Sequence, residues 1–293
     1  MGALHFSREA FLLVSGLYYI LVAGRFRPDD VLCRFDPAAT VTLTDAQRVE
    51  VWRSADALRQ EGRVITAEPL YRLVSYAVTD VSLVLRVGLT NYEEYIGTNG
   101  CHREWREQSG ANAMSDALAL SAATETADGM LAIERRSRKV AERAGFYHVK
   151  PSGHPQPPES FTQGVLTELE EELGVRREEV AELVCTGLVR DAVSYKPELT
   201  YVLRIRADAA DVQSRWKADA WESDEISFIP ASPDALADWL TRHVHDTVPA
   251  GHAALLLYGR ERFGAAWYER VAVGLHDAPR GTLSNAHGST GSP

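Results

Sequence analysis

A loop rich in glycine and proline, Gly153 to Glu159, runs into a stretch that carries four glutamates in five positions, Glu168 to Glu172, and this juncture limits what the chain can fold into. On a helix, Glu168, Glu171 and Glu172 stand at i, i+3 and i+4 and project from one face. Leu166, Leu169 and Leu173 fall at i, i+3 and i+7 and give the other side an apolar stripe. Such a helix is pinned by its leucines to a core, which holds the three carboxylates in one place. Clustered carboxylate oxygens suit Mg²⁺, or Mn²⁺ in its stead, hard ions that keep some waters and take phosphate oxygens as remaining ligands. A charged helix face is also a common solvated surface, so the residues around it decide between the two readings.

Gly153 is followed after five residues by Glu159, then after seven by Thr167-Glu168-Leu169-x-Glu171-Glu172-x-Gly174-Val175. This resembles the Nudix box, G-x5-E-x7-R-E-U-x-E-E-x-G-U, where U is aliphatic. Every defined position matches except the arginine, which is Thr167 here. So many spaced matches make a specific signal.

The whole chain has 293 residues, enough for one large domain or for a catalytic domain with an appended one. Its 25% charged and 45% hydrophobic residues are those of a globular protein, and a net charge of -10 argues against a nucleic-acid-coating function. An anionic ligand would therefore need a local basic patch. Cys33, Cys101 and Cys185 are odd in number and form no CxxC pair, so neither a disulfide framework nor a zinc site is indicated, and a reducing cytoplasm fits. Ala10 to Gly24 is apolar but falls short of the roughly 20 residues that span a membrane. It reads as a strand pair broken at Ser15-Gly16, and with Arg8 and Glu9 before it, it does not read as a signal peptide.

Taken in order, Thr44 to Gly62 reads as a helix capped by Thr44 or Asp45, with Val49, Trp52 and Leu58 facing the core. Pro69 to Val87 reads as two strands around Tyr76 to Asp80. Arg86 to Asn99, RVGLTNYEEYIGTN, has the residues of a ligand-contacting loop, and Asp116 to Thr126 reads as a small-residue helix. After a short apolar strand from Gly129, Arg135, Arg136, Arg138 and Lys139 supply the basic patch. Glu182 to Arg190 and Leu199 to Arg206 read as a hairpin that brings Arg190 and Tyr195 toward the site. A strand at Glu225 to Ala231, a helix from Ser232-Pro233 to His243 with Leu236, Trp239 and Leu240 inward, and a buried helix at Gly251 to Arg260 follow. A disordered tail begins at Asp277.

RVGLTNYEEYIGTN, ERRSRKVAE at Glu134 to Glu142 and GHP at Gly153 to Pro155 carry a second resemblance, to the UDP-glucose and UDP-galactose pyrophosphatase branch of the Nudix family in animals. The box implies a Nudix α/β/α sandwich with a mixed sheet. The second resemblance adds an N-terminal α+β extension over 1–125 that helps to form the pocket, beside a Nudix domain over 126–276 and the tail over 277–293. It implies Mg²⁺-dependent hydrolysis of a UDP-sugar to UMP and sugar 1-phosphate. Glu168, Glu171 and Glu172 take the catalytic and metal-binding roles, helped by a backbone carbonyl at Ser152 or Gly153, with Glu159 and Thr167 in support. The substrate-binding candidates are Arg86, Tyr92, Thr98, Asn99, Arg135, Arg138, His154 and Arg190. Thr167 leaves two readings open: a base from the arginine-rich stretch compensates for the absent arginine, or metal binding is weaker. Rival functions are hydrolysis of another nucleoside diphosphate derivative, such as ADP-ribose, and a non-catalytic nucleotide-sugar-binding module. The expected partner is a nucleoside diphosphate sugar, without nucleic acid or membrane, and a homodimer is left open.

Overall fold

The computed structural model describes residues 12–216 and 222–276, so the expected tail over 277–293 lies outside the described residues. The chain enters through β1 (Leu12–Val14) and β2 (Tyr18–Phe26), joined by a turn at Ser15 and Gly16, both at positive φ. β3 (Val31–Thr40), α1 (Asp45–Gln60), β4 (Pro69–Val78) and β5 (Leu83–Asn91) follow. Two short helices, α2 (Tyr92–Tyr95) and α3 (Trp105–Gln108), lead to β6 (Ala119–Glu125), β7 (Met130–Arg136), β8 (Tyr147–Val149) and β9 (Ser152–Gly153). The acidic helix is α4 (Phe161–Leu173), followed by β10 (Val180–Asp191), β11 (Pro197–Ile205), α5 (Ala209–Arg215) and β12 (Ser223–Pro230). The helices α6 (Pro233–Arg242), α7 (Pro249–Phe263) and α8 (Ala265–His276) come last.

The main sheet runs β1-β2-β10-β11-β6-β7-β12, with β8 against β7 and β9 against β6. It is mixed, because β11 and β6 pair in parallel while β10 pairs antiparallel with both β2 and β11. Alternation along the strands supplies two cores. Leu199, Tyr201 and Leu203 pack on one side with Phe161, Val165, Leu169 and Leu173 of α4, whereas Val202 packs on the other with α6, α7 and α8. The architecture is therefore an α/β/α sandwich. Burying a leucine such as Leu169 or Leu173 contributes about 1.5–3 kcal/mol each, and both are fully buried. The Ser160 hydroxyl caps α4 by accepting from the Gln163 N–H at 3.1 Å, and Gly174 in the left-handed region ends it. A second sheet, β3-β5-β4, covers the same face as α4: Tyr71 meets Phe161 edge to face at 5.4 Å.

Three sequence expectations need correction. The stretch expected as a small-residue helix, Asp116 to Thr126, holds strand β6, all of whose residues are buried. A strand covered on both faces loses its polar alternation, so small and apolar residues in a row are equally consistent with a buried helix. The face assigned to α1 is also out of phase. Its capping box at Thr44 and Gln47 places the helix as expected, but Val51 and Ala55 are the buried residues, while Val49 and Trp52 are 47% and 57% exposed. Trp52→Ser should therefore change the free energy of unfolding in urea by no more than about 0.5 kcal/mol; a loss of several kcal/mol would return Trp52 to the core. Finally, α8 has no counterpart among the expected elements, although Trp267, Val271 and Leu275 form its buried stripe.

The strands of the main sheet come from both sides of position 125. β1, β2 and β6 lie before it, and β7 to β12 after it. Among the described residues, no helix is long and apolar enough to cross a membrane.

Candidate active site

A cavity of about 570 Å³ opens where α4, β9, the loop before β11 and the N-terminal segment meet. Glu168, Glu171 and Glu172 of α4 line it, with Ser152, Gly153 and His154 from the strand and loop before the helix and Tyr92 from α2. Gly153 is required here by close approach: a Cβ on it would lie 1.9 Å from Glu168 Oε1. Of the residues expected from sequence, these seven are brought together.

The floor of the cavity is a buried ion cluster that the sequence did not suggest. Lys150, 3% exposed, lies in close contact with Glu172 Oε1 and 3.1 Å from Oε2 of the buried Glu134. Glu172 Oε2 accepts the Ser152 N–H at 2.9 Å, so both its oxygens are held. Burial would lower the Lys150 pKa, but Glu134 and Glu172 outweigh it and hold the ammonium charged well above its ordinary range. Burial raises the carboxyls of Glu168 and Glu172 above theirs, reinforced for Glu168 by the charges of Glu172 and Glu222 and opposed for Glu172 by Lys150. Two carboxylates that resist ionisation next to each other are a site short of positive charge.

Three cations and two imidazoles complete the walls: Lys150, Arg136, Lys196, His148 and His154. Both histidines are held neutral by burial first, and then by the charges of Arg136, Lys150 and Lys196 for His148 and of Lys196 and Arg136 for His154. Glu198, also on the wall, is pushed up by burial and takes the Ser121 hydroxyl as a close donor.

The basic patch reaches the cavity through Arg136 rather than Arg135. Successive residues of a strand face opposite ways, so Arg135 and, from the following loop, Arg138 line a different cavity with Arg63, Asp224 and Asp246. Arg86 is on an exposed face of β5, paired with Asp36 at 2.7 Å. Thr98 and Asn99 are fully buried: Asn99 Nδ2 donates to Asp116 at 2.9 Å and to the Ser194 carbonyl at 2.8 Å, and Thr98 Oγ1 accepts from the Ser115 N–H. They join the N-terminal segment to the β10–β11 connection. Arg190 lies outside the cavity as well, with its Nε buried and unpartnered.

Thr167 donates to Glu159 at 2.8 Å, so the carboxylate facing the position of the absent arginine is satisfied by a hydroxyl. The cation that pairs with a box acid is Lys150, from the β8–β9 connection and not from the arginine-rich stretch.

Among the described residues, no three His, Cys, Asp or Glu side chains stand as a ready-made metal cluster, and Lys150 already neutralises part of Glu172. The chemistry of the donors nevertheless fits: three hard carboxylates line one cavity, two of them under-neutralised.

No family model matches the chain. Among curated proteins, it is 39% identical over 102 residues to the uridine diphosphate glucose pyrophosphatase NUDT22 of Homo sapiens, covering 30% of this chain and 33% of that one. It is 37% identical over 142 residues to the Mus musculus protein of the same name, covering 44% and 42%. The match to Nudix hydrolase 9 of Arabidopsis thaliana is 24% identical, covering 48% and 56%. The chain thus spans a third to about two fifths of the length of the pyrophosphatases that it matches. A solved MutT protein from Methanosarcina mazei Go1 is 24% identical and covers 50% of this chain and 94% of that one, but its TM-score of 0.35 is too low to carry an argument. By its box and these curated relatives, the chain is similar to the Nudix hydrolases.

Proposed function

We propose that this protein is a Mg²⁺-dependent pyrophosphatase of nucleoside diphosphate sugars, acting on UDP-glucose or UDP-galactose to release UMP and sugar 1-phosphate. One observation carries the reading: a single cavity is lined by the three box carboxylates together with Arg136, Lys150 and Lys196. The uridine part is supported by the names of the curated relatives.

Glu168, Glu171 and Glu172 would hold the cation, with Mn²⁺ able to replace Mg²⁺, and a backbone carbonyl at Ser152 or Gly153 adding a ligand. When bound, such an ion neutralises phosphate charge and lowers the pKa of a coordinated water. Arg136 and Lys196 neutralise the remaining charge of the diphosphate. Both oxygens of Glu172 are engaged, one by Lys150 and one by the Ser152 N–H, so it is assigned to the cation rather than to the water's proton. Glu171, exposed at the mouth with neither tie, is assigned the proton of the attacking water.

The test is a substrate panel of UDP-glucose, UDP-galactose, ADP-ribose and ADP-glucose with Mg²⁺ or with chelator, read by chromatography. In ¹⁸O-labelled water the labelled product identifies the phosphorus attacked. Metal-dependent release of UMP is expected. Turnover of ADP-ribose alone would replace the uridine assignment, and no turnover on any member would overturn the enzymatic reading.

A further inference from the structure

Arg190 stands apart from the charged groups that line the cavity. Its side chain makes no hydrogen bond or ion pair among the described residues, and its Nε is buried. The nearest acid in sequence, Asp191, is already engaged by Arg143 at 3.2 Å and by the N–H groups of Val193 and Ser194. The acid whose charge reaches Arg190 most is Asp116, which is 4% exposed. One oxygen of Asp116 is in close contact with Arg106 and also accepts the Asn99 amide at 2.9 Å. Arg72 lies within the field of that carboxylate too, but its Nε and Nη2 are taken by the carbonyls of Met114 and Ala111, each at 3.0 Å. Arg106 lies 4.8 Å from the centre of the Tyr195 ring, and its Nε is likewise buried without a hydrogen-bond partner. Arg190 pairs with Pro197 across the β10–β11 hairpin, and Tyr195 belongs to the connection of that hairpin, so the fold gathers these groups at one end of it.

Three guanidiniums therefore share one carboxylate. Burial lowers the pKa of Arg72 and of Arg190; Asp116 opposes this, and the Arg106 charge adds to it. Glu94, a further acid near Arg72, is itself pushed toward its neutral form by burial and accepts the Thr90 hydroxyl at 2.9 Å. A buried guanidinium without a partner is costly, and a second one beside it adds to the cost. We infer that Arg106 and Arg190, beside the Tyr195 ring, form an anion site of their own, whose ligand is a phosphate dianion, either inorganic or a monoester. None of these three residues lines the cavity, and the inference does not depend on the reaction proposed for it. Three positive charges against one negative leave an excess of two, which a phosphate dianion cancels and a carboxylate only halves. The several oxygens of phosphate also suit the planar forks of N–H donors that arginines present. Arg106 comes from α3 and Arg190 from β10, and the connection after β10 carries Lys196 onto the cavity wall. A bound phosphate thus ties α3 to the connection that holds Lys196.

Inorganic phosphate is titrated by calorimetry, in chelator, into the full chain as wild type, Arg190→Met, Arg106→Met and Arg136→Met, the last a control for the cavity. Methionine keeps an apolar stem and removes the charge. Arg190→Met and Arg106→Met should each weaken one phosphate site by at least about ten-fold, and Arg136→Met should leave that site unchanged. Glucose 1-phosphate in a second arm separates the two sources: tighter binding at this site than inorganic phosphate marks a monoester as the ligand, and weaker binding marks free phosphate. At about 100-fold above its Kd, phosphate should raise the wild-type melting temperature by about 5–10 °C, and Arg190→Met should lose most of that gain. In the wild type, the Nε–Hε NMR signals of Arg106 and Arg190 should shift together as phosphate is added, a reading independent of how the variants fold. No binding to the wild type at millimolar phosphate would overturn the inference. So would binding that Arg136→Met removes and Arg190→Met retains.

Discussion

Replacing Lys150 by methionine should destabilise the protein by about 3–5 kcal/mol, the range for removing one partner of a buried ion pair. Lys150, Glu134 and Glu172 are each less than a tenth exposed, and one ammonium serves both carboxylates. Without it two buried acids face each other with no countercharge, and they must protonate or draw in water. At about 2–4 °C per kcal/mol for a chain of this size, the melting temperature should fall by roughly 10 °C. Combining Lys150→Met with Glu134→Gln should recover part of the loss, since one orphaned charge goes with its partner. Thermal and urea unfolding of the three variants would measure this. An unchanged melting temperature for Lys150→Met would show that the cluster is solvated.

The second large effect is expected at Glu172. Glu172→Gln keeps the shape of the side chain but removes the charge shared by Lys150 and any bound cation, and it turns an acceptor oxygen into an amide that donates. Turnover of the cognate nucleotide sugar should fall by about 10²-fold or more, as the cation it helps to hold supplies several kcal/mol, while circular dichroism shows a folded protein. Lys150 retains Glu134 as partner, so the stability cost should be smaller than for Lys150→Met. Kinetics at saturating Mg²⁺ separate the two readings of this chain: a binding module has no metal-dependent turnover to lose. Wild-type turnover with an unaffected Glu172→Gln variant would remove this carboxylate from the reaction.

The sequence made the acidic helix legible because two independent periodicities agree there: Leu166, Leu169 and Leu173 are all buried and Glu168, Glu171 and Glu172 line the cavity. Capping chemistry similarly made the start of α1 legible at Thr44 and that of α6 at Ser232. What stayed hidden depends on contacts between residues distant in sequence. Nothing near Lys150 in HVKPSGHP marks it as the partner of Glu134 and Glu172, because the pairing exists only once β7, α4 and the β8–β9 connection meet. Arg136 was nearer to hand: a strand ending at Arg136 must turn Arg135 and Arg136 to opposite faces, and the buried Glu134 shares the face of Arg136. Thr98 and Asn99 have the look of loop residues that meet a ligand, yet their polar groups are used to bond the protein to itself. Polarity alone does not separate these uses.

The order of strands in the main sheet also bears on how the chain assembles during synthesis. β2 is made well before its neighbour β10, and β6 likewise waits for β11. A ribosome working from the N-terminus therefore releases each of these strands long before one of its two flanking partners exists, leaving that edge dependent on delayed closure or on chaperones. Cutting the chain near position 125 would strand β10 without β2 and β11 without β6, so neither piece would inherit a finished sheet.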